Sequence, residues 1–115
     1  MAGELGSVGI YKGSGAVASV VDVRIGNASD THCFIGVNFY SDAALKIPVA
    51  ATAGTIDLTV RTVNSSTFQA LDDGTINAAT PELKSFSANP SLVRATPTGI
   101  LTAAFYEIIV TTNRS

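Results

Sequence analysis

The sequence predicts an all-β fold, an antiparallel β-sandwich of jelly-roll-like or Ig-like type with an extended Gly-rich N-terminal arm. Three observations predict it. Short segments rich in Val, Ile, Thr and Phe alternate apolar and polar residues, the period-2 pattern that sends successive side chains to opposite faces of a strand. Clusters of Gly, Pro, Asn and Asp separate these segments at about eight to twelve residues, the spacing of a sandwich or a small barrel. Long helical periodicity is absent, and "SDAALKI" (41–47) holds one helical turn at most.

Residues 1–15 carry five of the ten glycines, with Leu5, Val8, Ile10 and Tyr11 as apolar anchors. A segment of this kind has no core of its own, so it is expected as an extended arm, lying either along its own domain or on a neighbouring subunit. Residues 16–115 are expected as one sandwich domain. "AVASVVDVRI" (16–25) puts Val17, Val21, Val23 and Ile25 on one side and Asp22 and Arg24 on the other. "CFIGVNFY" (33–40) aligns Cys33, Ile35, Val37 and Phe39. "TIDLTVRTV" (55–63) alternates most cleanly, with Ile56, Leu58 and Val60 inward and Asp57, Thr59 and Arg61 outward. Shorter strands are expected at 66–71, 75–79 and 83–88, and "DDG" (72–74) reads as a tight turn. Nothing in these residues fixes the strand order.

The last stretch, "SLVRATPTGILTAAFYEIIVTT" (91–112), is apolar at nearly every position. It reads as a hairpin of 91–96 and 103–112 turning at Pro97-Thr98-Gly99, with Arg94 opposite Glu107 as a charge pair that favours the register. Val93, Ala95, Ala104, Tyr106, Ile108 and Val110 then share the core face. The other face mixes that ion pair with Leu92, Phe105 and Ile109, an apolar set that a solvent-facing strand does not normally carry. Either a loop of the domain or a second subunit is expected to cover it.

Composition excludes several functions. Charged residues make up 14% of the chain against a usual ~25%, while Ser and Thr supply 24 residues and Ala 16. A chain so poor in charge exposes neutral surface that is readily buried against other protein. The net charge of −2 and seven scattered basic residues leave no footprint for nucleic acid. A single Cys33 forms no internal disulfide, and no Cys/His set has zinc spacing. No apolar run reaches the ~18 residues of a membrane span. Ala16-Val17-Ala18 resembles a signal cleavage site but lacks a long apolar segment before it. The chain is therefore expected to be made and kept in a cytoplasm-like compartment, and the acceptor triplets at Asn27, Asn64 and Asn113 to be unmodified.

No enzyme, cofactor or metal is expected. Gly13-Ser14-Gly15-Ala16-Val17-Ala18 has dinucleotide-binding spacing, but a strand follows it where that motif needs a helix. His32 and Cys33, with Asp30 nearby, do not make a catalytic pair, because neighbours on a strand point to opposite faces. Asp72 and Asp73 lack the spaced ligands of a calcium loop. The absence of Trp and the presence of only three Tyr argue against a sugar-stacking platform.

The segment from 55 to 115, with its Thr/Ala-rich strands, "VRATPTGI" and the closing "YEIIVTTN", resembles small virion structural proteins of tailed bacteriophages. The resemblance implies a capsid decoration (cement) subunit or a small tail-associated component, located in the virion after assembly in the host cytoplasm. It implies partners in further copies of the chain and in a major capsid or other virion protein. A tail or head-fibre component with host-surface binding, and a carbohydrate-binding or adhesion module, are the alternatives. Leu5, Val8, Ile10, Tyr11, Leu92, Phe105 and Ile109 are the expected contact residues.

Overall fold

A computed structural model describes residues 8–25, 32–62, 67–86 and 90–113. Leu5, Asp30 and the acceptor residues Asn27 and Asn64 lie outside the described residues, as do the side chains of Val8, Asp72 and Asn113. Eight strands follow one another: β1 (Val8–Ala16), β2 (Val21–Arg24), β3 (His32–Tyr40), β4 (Ala53–Thr62), β5 (Gln69–Asn77), β6 (Lys84–Phe86), β7 (Pro90–Leu101) and β8 (Phe105–Asn113).

They form two four-stranded antiparallel sheets, with orders β1-β8-β3-β6 and β2-β7-β4-β5. The partnerships β1/β8, β2/β7, β3/β6 and β4/β5 nest inside one another along the chain. That nesting is a long antiparallel ribbon wrapped into two layers, a jelly roll. The alternation expected from the sequence holds. Val21, Val23 and Ile25, then Cys33, Ile35 and Phe39, then Ile56, Leu58 and Val60 are buried between the sheets. Val93, Ala95, Tyr106, Ile108 and Val110 complete the same core. Tyr106 is the largest fully buried side chain, and its hydroxyl donates to the Ser19 carbonyl at 2.6 Å. Burial pushes that phenol up to about 12.

Three expectations are corrected. Residues 8–15 do lie along their own domain, one of the two placements expected, but as a strand and not as an arm: Val8–Ala16 pairs along its whole length with β8, so the sandwich includes residues that a boundary at residue 16 leaves out. The glycines serve proximity instead of flexibility. A Cβ on Gly13 would lie 2.7 Å from Val21 Cγ1 and one on Gly15 2.9 Å from Val21 Cγ2, so only glycine lets this edge strand close over β2 of the opposite sheet.

The Asp72-Asp73-Gly74 run lies inside β5 and not in a turn. There Asp73 takes a φ of 55°, and the partners of β4 step from Thr75 opposite Asp57 to Ala70 opposite Thr59. This is a bulge in a continuous strand.

Finally, β7 and β8 are not a hairpin. β7 runs on through Pro97, Thr98 and Gly99, and the chain changes sheets at Thr102–Ala104, so Arg94 and Glu107 stand on different sheets. Arg94 is opposite Asp22 and Thr59, and Glu107 is opposite Ser14 and Asn38. The two strands bury the faces expected of them across the core, which satisfies their apolar residues as fully as side-by-side pairing does. Ala104 alone departs from that assignment and is exposed.

Candidate interaction surface

With the inner faces consumed by the core, the chemistry available to a partner lies on the two outer faces. The outer face of β2-β7-β4-β5 carries Asp22 and Arg24 from β2, Leu92, Arg94 and Thr96 from β7, and Asp57, Thr59 and Arg61 from β4. Asp22, Arg94, Asp57 and Arg61 each find a partner within the chain. Arg94 Nε and Nη2 donate to the two carboxylate oxygens of Asp22 at 2.8 and 2.9 Å, a two-pronged geometry. The hydrogen bond from Arg94 holds the Asp22 carboxyl below its ordinary value against the opposing effect of burial.

Phe68, just before β5, folds over this face. The Arg94 guanidinium lies 4.0 Å from its ring centre and that of Arg61 lies 5.5 Å away. Thr75 donates to Asp57 at 2.9 Å. Leu92 stands between Arg24 and Arg61 in the register and is only 5% exposed, although it lies outside the core cluster. Its cover is therefore its own chain, not a second subunit. Long arginine stems flank it, and such stems shield apolar surface.

The outer face of β1-β8-β3-β6 is built differently. The register sets Ile10, Thr111 and Phe34 in one row, Lys12, Ile109 and Gly36 in the next, then Ser14, Glu107 and Asn38, then Ala16, Phe105 and Tyr40. Ile10 is 62% exposed, and Leu83, ahead of β6, is 68% exposed. Phe34, Tyr40, Phe105 and Ile109 are half-buried. Because Gly36 has no side chain, a groove of about 340 Å³ opens above it, walled by Asn38, Leu83, Ile109 and Thr111.

A second depression of about 390 Å³ adjoins the first at Val37, Asn38 and Pro81, and runs between Tyr40, Pro48, Val49 and Ala79. β6 covers β3 only from Cys33 to Ile35, and Val49 bonds to the Phe39 carbonyl. The edge of β3 is thus left open at Val37, between the two hollows.

The expected contact residues consequently divide. Phe105, Ile109 and Ile10 meet on one open face; Leu92 belongs to the opposite side of the molecule; Tyr11 turns inward against the core. Phe34, Gly36, Tyr40 and Leu83 join the surface without having been expected. Phe34 and Tyr40 had a legible signal: "CFIGVNFY" is apolar on both parities, so burying Cys33, Ile35 and Phe39 necessarily turns two aromatic rings outward.

Cys33 is fully buried, its thiol pushed up to about 11 by desolvation, which keeps it protonated and unreactive at neutral pH. Among the described residues no group of three or more His, Cys, Asp or Glu is placed to hold a metal.

Comparison with known proteins adds a family. The family described as "Domain of unknown function (DUF7265)" matches residues 10–115. No curated protein matches the chain significantly. Among solved structures, a chain from Bacillus endospore appendages, described as disulfide-linked pili, is 15% identical with a TM-score of 0.40, over 96% of this chain and 94% of that one. A chain from the cyanophage Pam1 capsid asymmetric unit is 17% identical with a TM-score of 0.41, over 95% of this chain and 86% of that one. At such scores neither likeness bears on what this protein does.

Proposed function

We propose that this chain, which belongs to the DUF7265 family of domains of unknown function, is a non-enzymatic structural subunit of a virion, a capsid decoration protein that oligomerises and stabilises the assembled shell. The observation that carries the reading is the apolar outer face of β1-β8-β3-β6, which no other described residue covers, on a molecule whose opposite face pairs Arg94 with Asp22 and buries Leu92. A monomer gains nothing from leaving Ile10 and Leu83 in water; a subunit that spends its life against other protein does. The jelly roll is compatible with this role, since it recurs in viral capsid domains, but it also recurs in lectins and cupins and so supports the role by analogy alone.

The mechanism is mass action. A protein that binds the assembled lattice and not its dissociated parts stabilises the lattice by an amount that grows with the logarithm of its free concentration above Kd. Particles lacking the protein are then expected to break at lower temperature than particles saturated with it, with light scattering and genome release as readouts. Equal breakage temperatures would sink the proposal.

A tail or head-fibre component that binds host surfaces is the second reading. It is favoured by Tyr40 and Phe105, which stand directly across from one another on the open face and offer two rings to a sugar. Copy number separates the two readings: hundreds per particle for a decoration protein, about a dozen or fewer for a tail component. Glycan binding by the isolated chain would favour the second.

A further inference from the structure

We infer that the outer face of β1-β8-β3-β6 is the surface through which two copies of this chain pair face to face about a two-fold axis. This deepens the structural role proposed above by naming the surface that carries self-association.

The argument rests on the charges of that face. Its four register rows hold one cation, Lys12, and one anion, Glu107, amid Ile10, Phe34, Ile109 and Phe105. Neither charge meets an ion-pair partner among the described residues, unlike Lys84, which pairs with Asp73, and Arg94, which pairs with Asp22. Lys12 is directly across from Ile109, and Glu107 is two residues further along β8, so the two charges are diagonal neighbours about 7–8 Å apart.

Lys12 and Glu107 at that spacing make the centre of the face complementary to itself. A two-fold axis lying in the interface and passing midway between them sets Lys12 over Glu107 of the second copy. By the same operation it sets Glu107 over Lys12 of that copy. A face of mixed sign, with Glu82 as a second anion at the rim of its groove, is poorly matched to a strongly charged partner but can match its own copy.

The size of the surface fits a dimer. Three strands of nine residues and one of three, ~4.8 Å apart and at ~3.4 Å per residue, present roughly 500 Å². Two such faces bury roughly 1,000 Å², the lower bound for a specific interface. The groove above Gly36 and the exposed Leu83 beside it give the face relief as well as area. The competing geometry, edge-to-edge pairing of β1 with its own copy, would in a register centred on Lys12 set two lysines against each other.

The test is a charge swap in the full-length protein, read by sedimentation velocity over a range of concentrations. The wild type is expected to dimerise. Lys12→Glu and Glu107→Lys each place like charges in contact at two symmetric positions and are expected to weaken dimerisation by about tenfold or more. The double variant Lys12→Glu/Glu107→Lys restores both contacts with signs exchanged and is expected to recover the dimer, which no partner other than a second copy would allow. Ile10→Asp, at an exposed position, is expected to abolish the dimer while leaving the circular-dichroism spectrum and unfolding midpoint of the monomer unchanged.

A wild type that stays monomeric at hundreds of micromolar overturns the inference. So do single charge changes that leave the dimer intact, and a double swap no better than the singles. Shell binding is scored separately. Monomers that still bind particles overturn the pairing and spare the structural role, whereas dimers that bind no particle do the reverse.

Discussion

The two outer faces of this sandwich have the same backbone architecture and opposite surface chemistry. On β2-β7-β4-β5, Arg94 and Asp22 form a two-pronged ion pair, an aromatic ring from the approach to β5 lies over two guanidinium groups, and the outward Leu92 is buried beneath its own chain. On β1-β8-β3-β6, apolar side chains stand in adjacent rows with no covering loop among the described residues, and Lys12 and Glu107 find no ion-pair partner. A sheet of this kind must bury one face to be stable, and the second face is free to take either form. The difference shows that outward apolar residues are not equivalent. Leu92 is a matter of folding, whereas Ile10 and Ile109 are available for association.

The comparison can be broken by matched substitutions, read by urea denaturation of the isolated chain. Leu92→Asp places a carboxylate where the chain already excludes water, and is expected to cost roughly 3 kcal/mol or more. A cost near zero would mean that this face is as open as the other.

Gly13→Val tests whether β1 belongs to the core. A side chain there meets Val21 and Val23 at or within 3.0 Å, so overpacking is expected to cost about 2 kcal/mol. A neutral result would mean that β1 is loosely held.

Tyr106→Phe probes the layer between the faces. It removes the bond to the Ser19 carbonyl and is expected to cost about 1 kcal/mol at neutral pH. Because the folded-state pKa of Tyr106 is raised from 10.0 to about 12, the unfolded chain ionises first. The stability linked to this proton is intact below pH ~10 and is lost as pH rises towards ~12. The wild type should therefore lose roughly 1–2 kcal/mol more than the Phe variant between pH 9 and 11. Parallel losses would show that the phenol is not desolvated.

The smallest effect is expected for Ile10→Asp, within about 0.5 kcal/mol for the monomer, since its side chain is already in water. Its contrast with Leu92→Asp is the sharpest single measure of the difference between the faces.

Much of this was legible in the residues. Six of the eight strands fall close to segments expected as strands, the exceptions being β1, expected as an arm, and β5, expected as two strands about a turn, and the inward sets from Val21 to Val110 were assigned correctly apart from Ala104. Errors arose where residue type was read without its neighbours. Glycine has two uses, flexibility and close approach, and only the position of Val21 shows that Gly13 and Gly15 serve the second. Asp72-Asp73-Gly74 and Pro97-Thr98-Gly99 carry turn residues, but a bulge in a continuing strand uses the same residues. Arg94 and Glu107 satisfy a charge-pair rule that operates only if the strands are neighbours, and Asp22, distant in sequence, was the actual partner. The candidate surface was half visible: Phe105, Ile109 and Ile10 were expected in contact, while Leu83 and the Gly36 groove depend on where the segment before β6 comes to rest.

What the sequence by itself determined is local: which positions are strand, and which parity along each strand points inward, because alternation is a property of one extended segment and its composition. Which strands become neighbours, and which outward face stays bare, was decided only by the tertiary structure. A ribbon wrapped into two layers pairs residues many tens of positions apart. The cover over Leu92 and the exposure of Ile10 follow from that wrapping and not from either residue's own surroundings in the chain.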